Sequence, residues 1–215
     1  MSTARRLALL AALAATNAGC GTAPAPAPWT ELFDGRSLGE FAVTDFGGQG
    51  PVTVERGRLR LGMGSPLTGV TWTGALPPRE YELEVTAARH LGVDFFCGLT
   101  FPVGEAHLTL VLGGWGGSVC GLSNLDGEDA AHNHTRVVHR FETDRDYVIR
   151  VAVTNDRVDV TLDGEPLLGT DLAARTCGLR PEVLLSRPLG FACFLTEASL
   201  RSLRWRPVRG PAART

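Results

Sequence analysis

The chain has 215 residues, with 21 Lys and Arg against 23 Asp and Glu, a formal charge of −2 and a pI near 6.2. That balance excludes the broad basic field with which a protein gathers nucleic acid or anionic lipid, so nucleic acid is not an expected partner. The 26 Gly and 13 Pro, with apolar residues in short runs, favour many short strands joined by turns, in a chain long enough for one domain with a real core.

The N-terminus reads as a secretory signal. Arg5 and Arg6 form a charged start and Leu7–Ala15 an apolar stretch too short to span a bilayer as a helix. Asn17-Ala18-Gly19-Cys20 follows, small residues directly before a cysteine. It resembles the lipobox of bacterial lipoproteins, although Asn17 stands where an aliphatic residue is usual. The resemblance implies that residues 1–19 are removed and that Cys20 is acylated. Ordinary signal cleavage nearby, with Cys20 lost or left free, is the alternative. The alternating Ala-Pro run that ends at Pro28 can form neither helix nor ladder, so residues 20–28 read as a lipidated cysteine and an extended spacer. This layout implies export and anchoring to the bacterial cell envelope, in the periplasm or on the outer surface, with the membrane touched only through the lipid.

Residues 29–207 read as a single all-β domain, and 208–215 as a tail. Val52 and Val54 alternate with Thr53 and Glu55, Leu59 and Leu61 with Arg58 and Arg60, and Tyr81, Leu83, Val85 and Ala87 with Glu82, Glu84 and Thr86. A side-chain period of two gives each segment one apolar and one wet face. Phe95–Phe101 is apolar on both sides, as a central strand would be. Leu108, Leu110 and Leu112 form another core face. Tyr147–Val153 and Val158–Leu162 flank Asn155-Asp156, a hairpin turn, and Asp163-Gly164 turns the chain again. Short helical turns are expected at Asp171–Arg175 and Pro181–Leu185. The last strands are Gly190–Leu195 and Ser199–Arg206. This series predicts a sandwich or barrel of antiparallel strands.

Cys97, Cys120, Cys177 and Cys193 allow three disulfide pairings, and their spacing does not choose among them. Alternation sets Cys97 and Cys193 among large apolar neighbours, as buried and inert thiols. With no Cys-x-x-Cys pair, a structural zinc site is not expected.

The opening of the domain, Trp29-Thr30-Glu31-Leu32-Phe33-Asp34-Gly35-Arg36-Ser37-Leu38, is similar to the W-x-x-L-F-D/N-G-x-x-L start of the 3-keto-disaccharide hydrolase domain family. Val158–Gly164 resembles that family's strand ending in an Asn/Asp-Gly turn, and Ser199–Trp205 its closing strand of alternating apolar and Arg residues. The resemblance implies a concanavalin-A-like (laminin-G-like) jelly-roll sandwich of two antiparallel sheets and a carbohydrate ligand. The family's Asn-Ser-Gly and Glu-x-Gln strands correspond here to Phe96-Cys97-Gly98 and His107-Leu108-Thr109, without the carboxylate or the amide.

Three groups of residues are candidates for function. Asp94, Glu105 and His107, with Thr109, fall on the face opposite the leucines if their strands are neighbours; a histidine beside a carboxylate is a natural general base. The alternative is a polar outer sheet face with no ligand. Trp115, between Gly113-Gly114 and Gly116-Gly117, is either a platform for the apolar face of a pyranose or an indole folded over the core edge. The segment Asn124–His134 gathers Asn124, Asp126, Glu128, Asp129, His132 and His134. Its carboxylates and amides are donors for a hard divalent cation such as calcium, and its imidazoles suit a transition metal or acid–base work. The alternative is a solvated surface loop. Two functions follow from these groups. One is a hydrolase or lyase of 3-keto-glycosides with His107 as base and Asp94 or Glu105 assisting. The other is a non-catalytic glycan-binding or envelope interaction module using Trp115 and the Asn124–His134 loop.

Overall fold

The computed structural model describes residues 26–77 and 79–208. The signal segment, Cys20 and residues 209–215 of the tail lie outside them. Fifteen strands follow in order. They are β1 (Thr30–Glu31), β2 (Phe41–Val43), β3 (Val52–Glu55), β4 (Arg58–Leu61), β5 (Leu67–Trp72), β6 (Tyr81–Gly92), β7 (Cys97–Val103) and β8 (Ala106–Gly113). Then come β9 (Val119–Ser123), β10 (Val137–Val138), β11 (Tyr147–Val153), β12 (Arg157–Leu162), β13 (Glu165–Asp171), β14 (Gly190–Phe194) and β15 (Thr196–Pro207).

One sheet runs β13-β12-β11-β6-β15-β4-β3, with β1 added against β15; the other runs β10-β9-β8-β7-β14-β5-β2. Every pairing is antiparallel. The two sheets stack as a jelly-roll sandwich, the form that the family resemblance implies among the sandwiches and barrels that alternation allows. Leu83, Val85, Ile149, Val151 and Leu203 of the first sheet meet Leu99, Phe101, Leu110, Leu122 and Phe191 of the second in one continuous core. The expected strands differ only at their ends, while β2, β5, β9, β10 and β13 are additional to them. The central strand begins at Cys97, because Phe95 leaves the ladder to pack on the outer face. The Asp171–Arg175 segment closes a single turn, Arg175 N–H to Leu172 O at 3.0 Å, whereas Pro181–Ser186 is a 3-10 helix.

The start and finish of the domain lock together. β1 pairs with β15, Thr30 opposite Trp205, which drops Leu32 and Phe33 into the core. Trp29 lies under a row of guanidiniums, Arg206 at 4.3 Å and Arg204 at 4.8 Å from the ring centroid. Stacked guanidiniums on an indole give cation–π attraction while leaving their N–H groups free for carboxylates. Arg204 uses them on Glu84 (2.5 Å), whose second oxygen takes Arg150 Nε at 2.5 Å.

The four cysteines of the domain are unpaired. Burial pushes the thiols of Cys97, Cys120, Cys177 and Cys193 upward, Cys120 to about 11 and Cys193 to about 12. The buried thiols of Cys97, Cys120 and Cys193, held so far above neutral pH, carry no appreciable thiolate and act as packing groups.

Glu84 is 5% exposed. Burial by itself raises its carboxyl; Arg150 and Arg204 outweigh burial and hold it below the ordinary glutamate range. A carboxylate depressed on folding contributes stability that is present above its unfolded pKa, about 4.3, and is lost as pH falls through the lower folded value. Both guanidiniums reach solvent, so Glu84→Gln should cost about 1–2 kcal/mol at pH 7 rather than the roughly 3–5 kcal/mol of a dry pair. Urea unfolding at pH 7 and in steps toward pH 3 checks this: the gap between the proteins should narrow below about pH 4 as the wild-type carboxylate protonates.

Candidate functional site

The seven-stranded sheet is unusual in being apolar on parts of both faces. Along β8, Leu108, Leu110 and Leu112 face the core, which leaves Thr109 and Val111 outward; on β14, Phe191 and Cys193 face in, and Ala192 and Phe194 out. A second, thinner apolar layer forms on this outer side from Leu67, Val183 and Ala192, flanked by Phe46, Phe95, Leu179 and Phe194. Glycines in the sheet make that layer possible. A Cβ on Gly98 would lie 2.7 Å from the Phe95 ring, and one on Gly121 2.8 Å from the Ala130 carbonyl. Only a residue without a side chain lets the ring and the Asn124–His134 loop settle onto the strands.

A hollow of about 150 Å³ remains where this covering is incomplete. Its floor is Thr109, Val111 and Ser123; the 3-10 helix and the residue before it contribute Arg180, Glu182 and Val183, and Phe95 and Phe194 form another wall. Asp94 and Trp115 complete the rim. Trp115 is 41% exposed and sits at φ +47° in the tight turn Gly114–Gly117. The Asp94 carboxylate lies beside that turn: it accepts the Phe95 amide at 2.7 Å, and the nearby amides of Trp115 and Gly116 favour its charged form. Burial raises the Asp94 carboxyl above the ordinary aspartate range, and those amides only partly offset it.

The structure therefore brings Asp94 and Trp115 together and separates them from His107 and Glu105. Asp94 is not on a strand; it lies in the β6–β7 loop. Cys97 pairs with Leu112 and Pro102 with His107, so Asp94 and His107 lie at opposite ends of the β7–β8 hairpin, roughly 20 Å apart for a strand rising about 3.3 Å per residue. Glu105 is in the hairpin turn itself, its side chain 88% exposed and ion-paired with Arg79. His107 is half-buried, and burial, with the charge of Arg187 second, lowers its pKa. The expected grouping of Asp94, Glu105 and His107 over one hollow is thus corrected by the hairpin register.

The Asn124–His134 loop is a scaffold. Asn133 Nδ2 donates to the carbonyls of Leu122 (2.7 Å) and Asp129 (2.8 Å), and its Oδ1 accepts the Thr135 amide and hydroxyl. Asn124 exchanges backbone hydrogen bonds with Gly178. Asp126 accepts the Thr176 amide and, second, Arg175, which together hold its carboxyl below the ordinary range. His132 pairs with Asp129 at 2.7 Å. His134 contacts Thr170 at 2.8 Å beside a separate, open, polar depression at the edge strand β13, where Arg157 is tied to Asp159 and Asp171. Among the described residues no group of three or more His, Cys, Asp or Glu converges to hold a metal ion. With Asp126 on Arg175 and Asp129 on Arg180, the loop's carboxylates are taken by guanidiniums rather than left open for a divalent cation. Its link to the hollow is indirect: Asp129 Oδ2 takes Arg180 Nη1 at 2.8 Å and so fixes Arg180 in the wall.

Arg180, Glu182, Val183 and Phe194 are not legible as site residues. The signals near them are the short helical turn expected at Pro181–Leu185 and the strand expected at Gly190–Leu195, neither of which says what those elements lie against. A Ser-His-Asp relay also appears, which the chain order hides. On the outer face of the eight-stranded sheet, His90 Nε2 lies 2.8 Å from Ser199 Oγ, and its Nδ1 2.6 Å from Asp144 Oδ1. Ser199 is fully buried on the central strand β15, so its hydroxyl meets no substrate, and the relay is structural.

No family model and no curated protein matches the chain. Solved structures do. A carbohydrate-binding module, CBM66 from Bacillus subtilis, aligns over 78% of this chain and 95% of its own, with a TM-score of 0.53 and 10% identity. The apo Crh5 transglycosylase aligns over 86% and 85%, TM-score 0.59, 10% identity. The exoplasmic/lumenal domain of VIP36, in its Ca2+/Man3GlcNAc-bound form, aligns over 85% and 90%, TM-score 0.58, 10% identity. At such identity the likeness is one of fold, the concanavalin-A-like jelly roll.

If Asp94 holds the Trp115 turn, Asp94→Ala should loosen it, at a cost of about 1–3 kcal/mol for the orphaned amides. Hydrogen exchange should accelerate across residues 113–118 and leave β11 and β12 unchanged. Asp94→Asn, which keeps one carbonyl acceptor, should recover part of the protection.

Proposed function

We propose that the domain binds a carbohydrate at the hollow on the outer face of the seven-stranded sheet, as an exported protein tethered to the cell envelope through Cys20. The observation that carries this reading is Trp115: an indole left 41% exposed on a braced turn, at the edge of a hollow with largely apolar walls. A large aromatic presented this way matches the C–H face of a pyranose and loses little side-chain freedom on binding. The solved structures named above support the scaffold; the ligand is inferred from the site, since this fold hosts many roles.

Binding is favoured over catalysis by the state of the two carboxylates. Glu182 is ion-paired with Arg180 at 2.6 Å, and Asp94 is engaged by backbone amides. A glycosidase of the usual kind needs two carboxyl groups free to face the scissile bond. One observation supports the rival reading, hydrolysis of 3-keto-glycosides: burial makes Asp94 easier to protonate than an exposed aspartate, as a general acid requires. In that reading Asp94 takes the role expected of His107.

Screening the purified protein against immobilised glycans, followed by calorimetry on the hits, should give saturable binding. Trp115→Ala should weaken it by about tenfold or more, as the loss of one stacking aromatic does, with the circular dichroism spectrum unchanged. Release of reducing sugar from a hit, abolished in Asp94→Asn, would replace the binding reading with the hydrolytic one. Export and lipidation have their own check. Cells given radiolabelled palmitate should label the wild-type chain in the membrane fraction, and Cys20→Ala should carry no label.

A further inference from the structure

The polar side chains lining the hollow spend part of their hydrogen-bonding capacity on the protein itself. Thr109 Oγ1 is bonded to Thr100 Oγ1 at 2.9 Å, and Ser123 Oγ donates to Asn124 Oδ1 at 2.8 Å. Arg180 gives its Nε to Glu182 at 2.6 Å and one terminal nitrogen to Asp129 at 2.8 Å. Asp94 holds the amide of Phe95. A hexose seated inside would bring most of its hydroxyls out of water against apolar walls, where they find no partner.

Most of what the hollow leaves open is apolar. Phe95 and Phe194 stand with ring centroids 5.6 Å apart, and Val111, Val183 and the Trp115 ring complete the surface. Val93 and Leu195, next in sequence to Asp94 and Phe194, are 72% and 45% exposed, which extends the apolar character past the rim. The volume, about 150 Å³, is that of a cavity which accepts one benzene-sized ring. Charge points the same way. Arg180 lies between Asp129 and Glu182, so no uncompensated cation faces inward for a uronate, sulfate or phosphate.

We propose that the hollow takes the apolar, ring-bearing aglycone of a neutral glycoside, while the sugar lies at the mouth against the Trp115 indole. This rests on the carbohydrate reading above and names its ligand class: an aryl-type glycoside, not a free oligosaccharide. The division follows from where each half of such a molecule finds its partner. The aglycone enters the space whose walls are mostly apolar, and the hydroxyls stay in water.

The test is calorimetry on the full chain with paired phenyl and methyl glycosides of glucose, galactose, mannose and N-acetylglucosamine, and with phenol alone. For the sugar that binds, the phenyl glycoside should be at least about tenfold tighter than the methyl glycoside, the return expected from burying one ring, and tighter than phenol. Val183→Phe, which fills the hollow from the 3-10 helix, should bring the phenyl-to-methyl ratio close to one. If that variant does not fold, Val183→Ala, which removes wall contacts, should lower the ratio several-fold. Equal affinity for phenyl and methyl glycosides overturns the aglycone proposal and leaves the carbohydrate reading standing. Phenol binding as tightly as the phenyl glycoside, or no glycoside binding at all, overturns both.

Discussion

The site depends on one constraint: the seven-stranded sheet carries apolar side chains on both faces, and only one face has a partner sheet. Leu108, Leu110 and Leu112 are covered by the eight-stranded sheet, but Val111, Ala192 and Phe194 on the other side would remain in water. The chain answers by folding two connections back over them, the Asn124–His134 loop onto β9 and the Leu179–Ser186 stretch toward β5 and β14. Apolar area drives this at roughly 25 cal/mol per Å² withdrawn from water, and Gly98 and Gly121 supply the clearance. The hollow is the part of that face the covering does not reach.

The coverings themselves need polar fixings, which is why the region looks so rich in chemistry. A loop lying on a sheet must satisfy its own backbone, and Asn133 does so for Leu122 and Asp129 while Asp126 ties the loop to Thr176 and Arg175. The same carboxylates that resemble a cation site are thereby taken up by guanidiniums and amides. Asp129 connects this scaffold to the hollow: by pairing with Arg180 it sets the wall and removes the charge that would otherwise attract an anion.

At the other sheet, the ends of the domain are joined by an arrangement that gives the opening motif a physical meaning. Trp29 meets the arginines of β15, and Leu32 and Phe33 enter the core directly behind it. The W-x-x-L-F spacing is what lets one short strand pair with the last strand and still deliver two side chains inward. The concanavalin-A-like scaffold accounts for the motif's presence without assigning a reaction to it.

Alternation determined an all-β fold of antiparallel strands and the inward faces of β6 and β8, and with the Asn155-Asp156 turn it determined the β11–β12 hairpin, because a period of two is a local property that burial reads directly. The sequence also singled out Trp115, by its flanking glycines, and Asp94, though it placed Asp94 on a strand and grouped it with His107. Only tertiary structure decided that grouping, since which end of a hairpin two residues occupy depends on the register, Cys97 opposite Leu112, and not on the residues themselves. The same holds for Arg180, Glu182 and Phe194, which reach the hollow from strands and turns distant in the chain. Site membership is a long-range fact, and a linear pattern carries only the short-range ones.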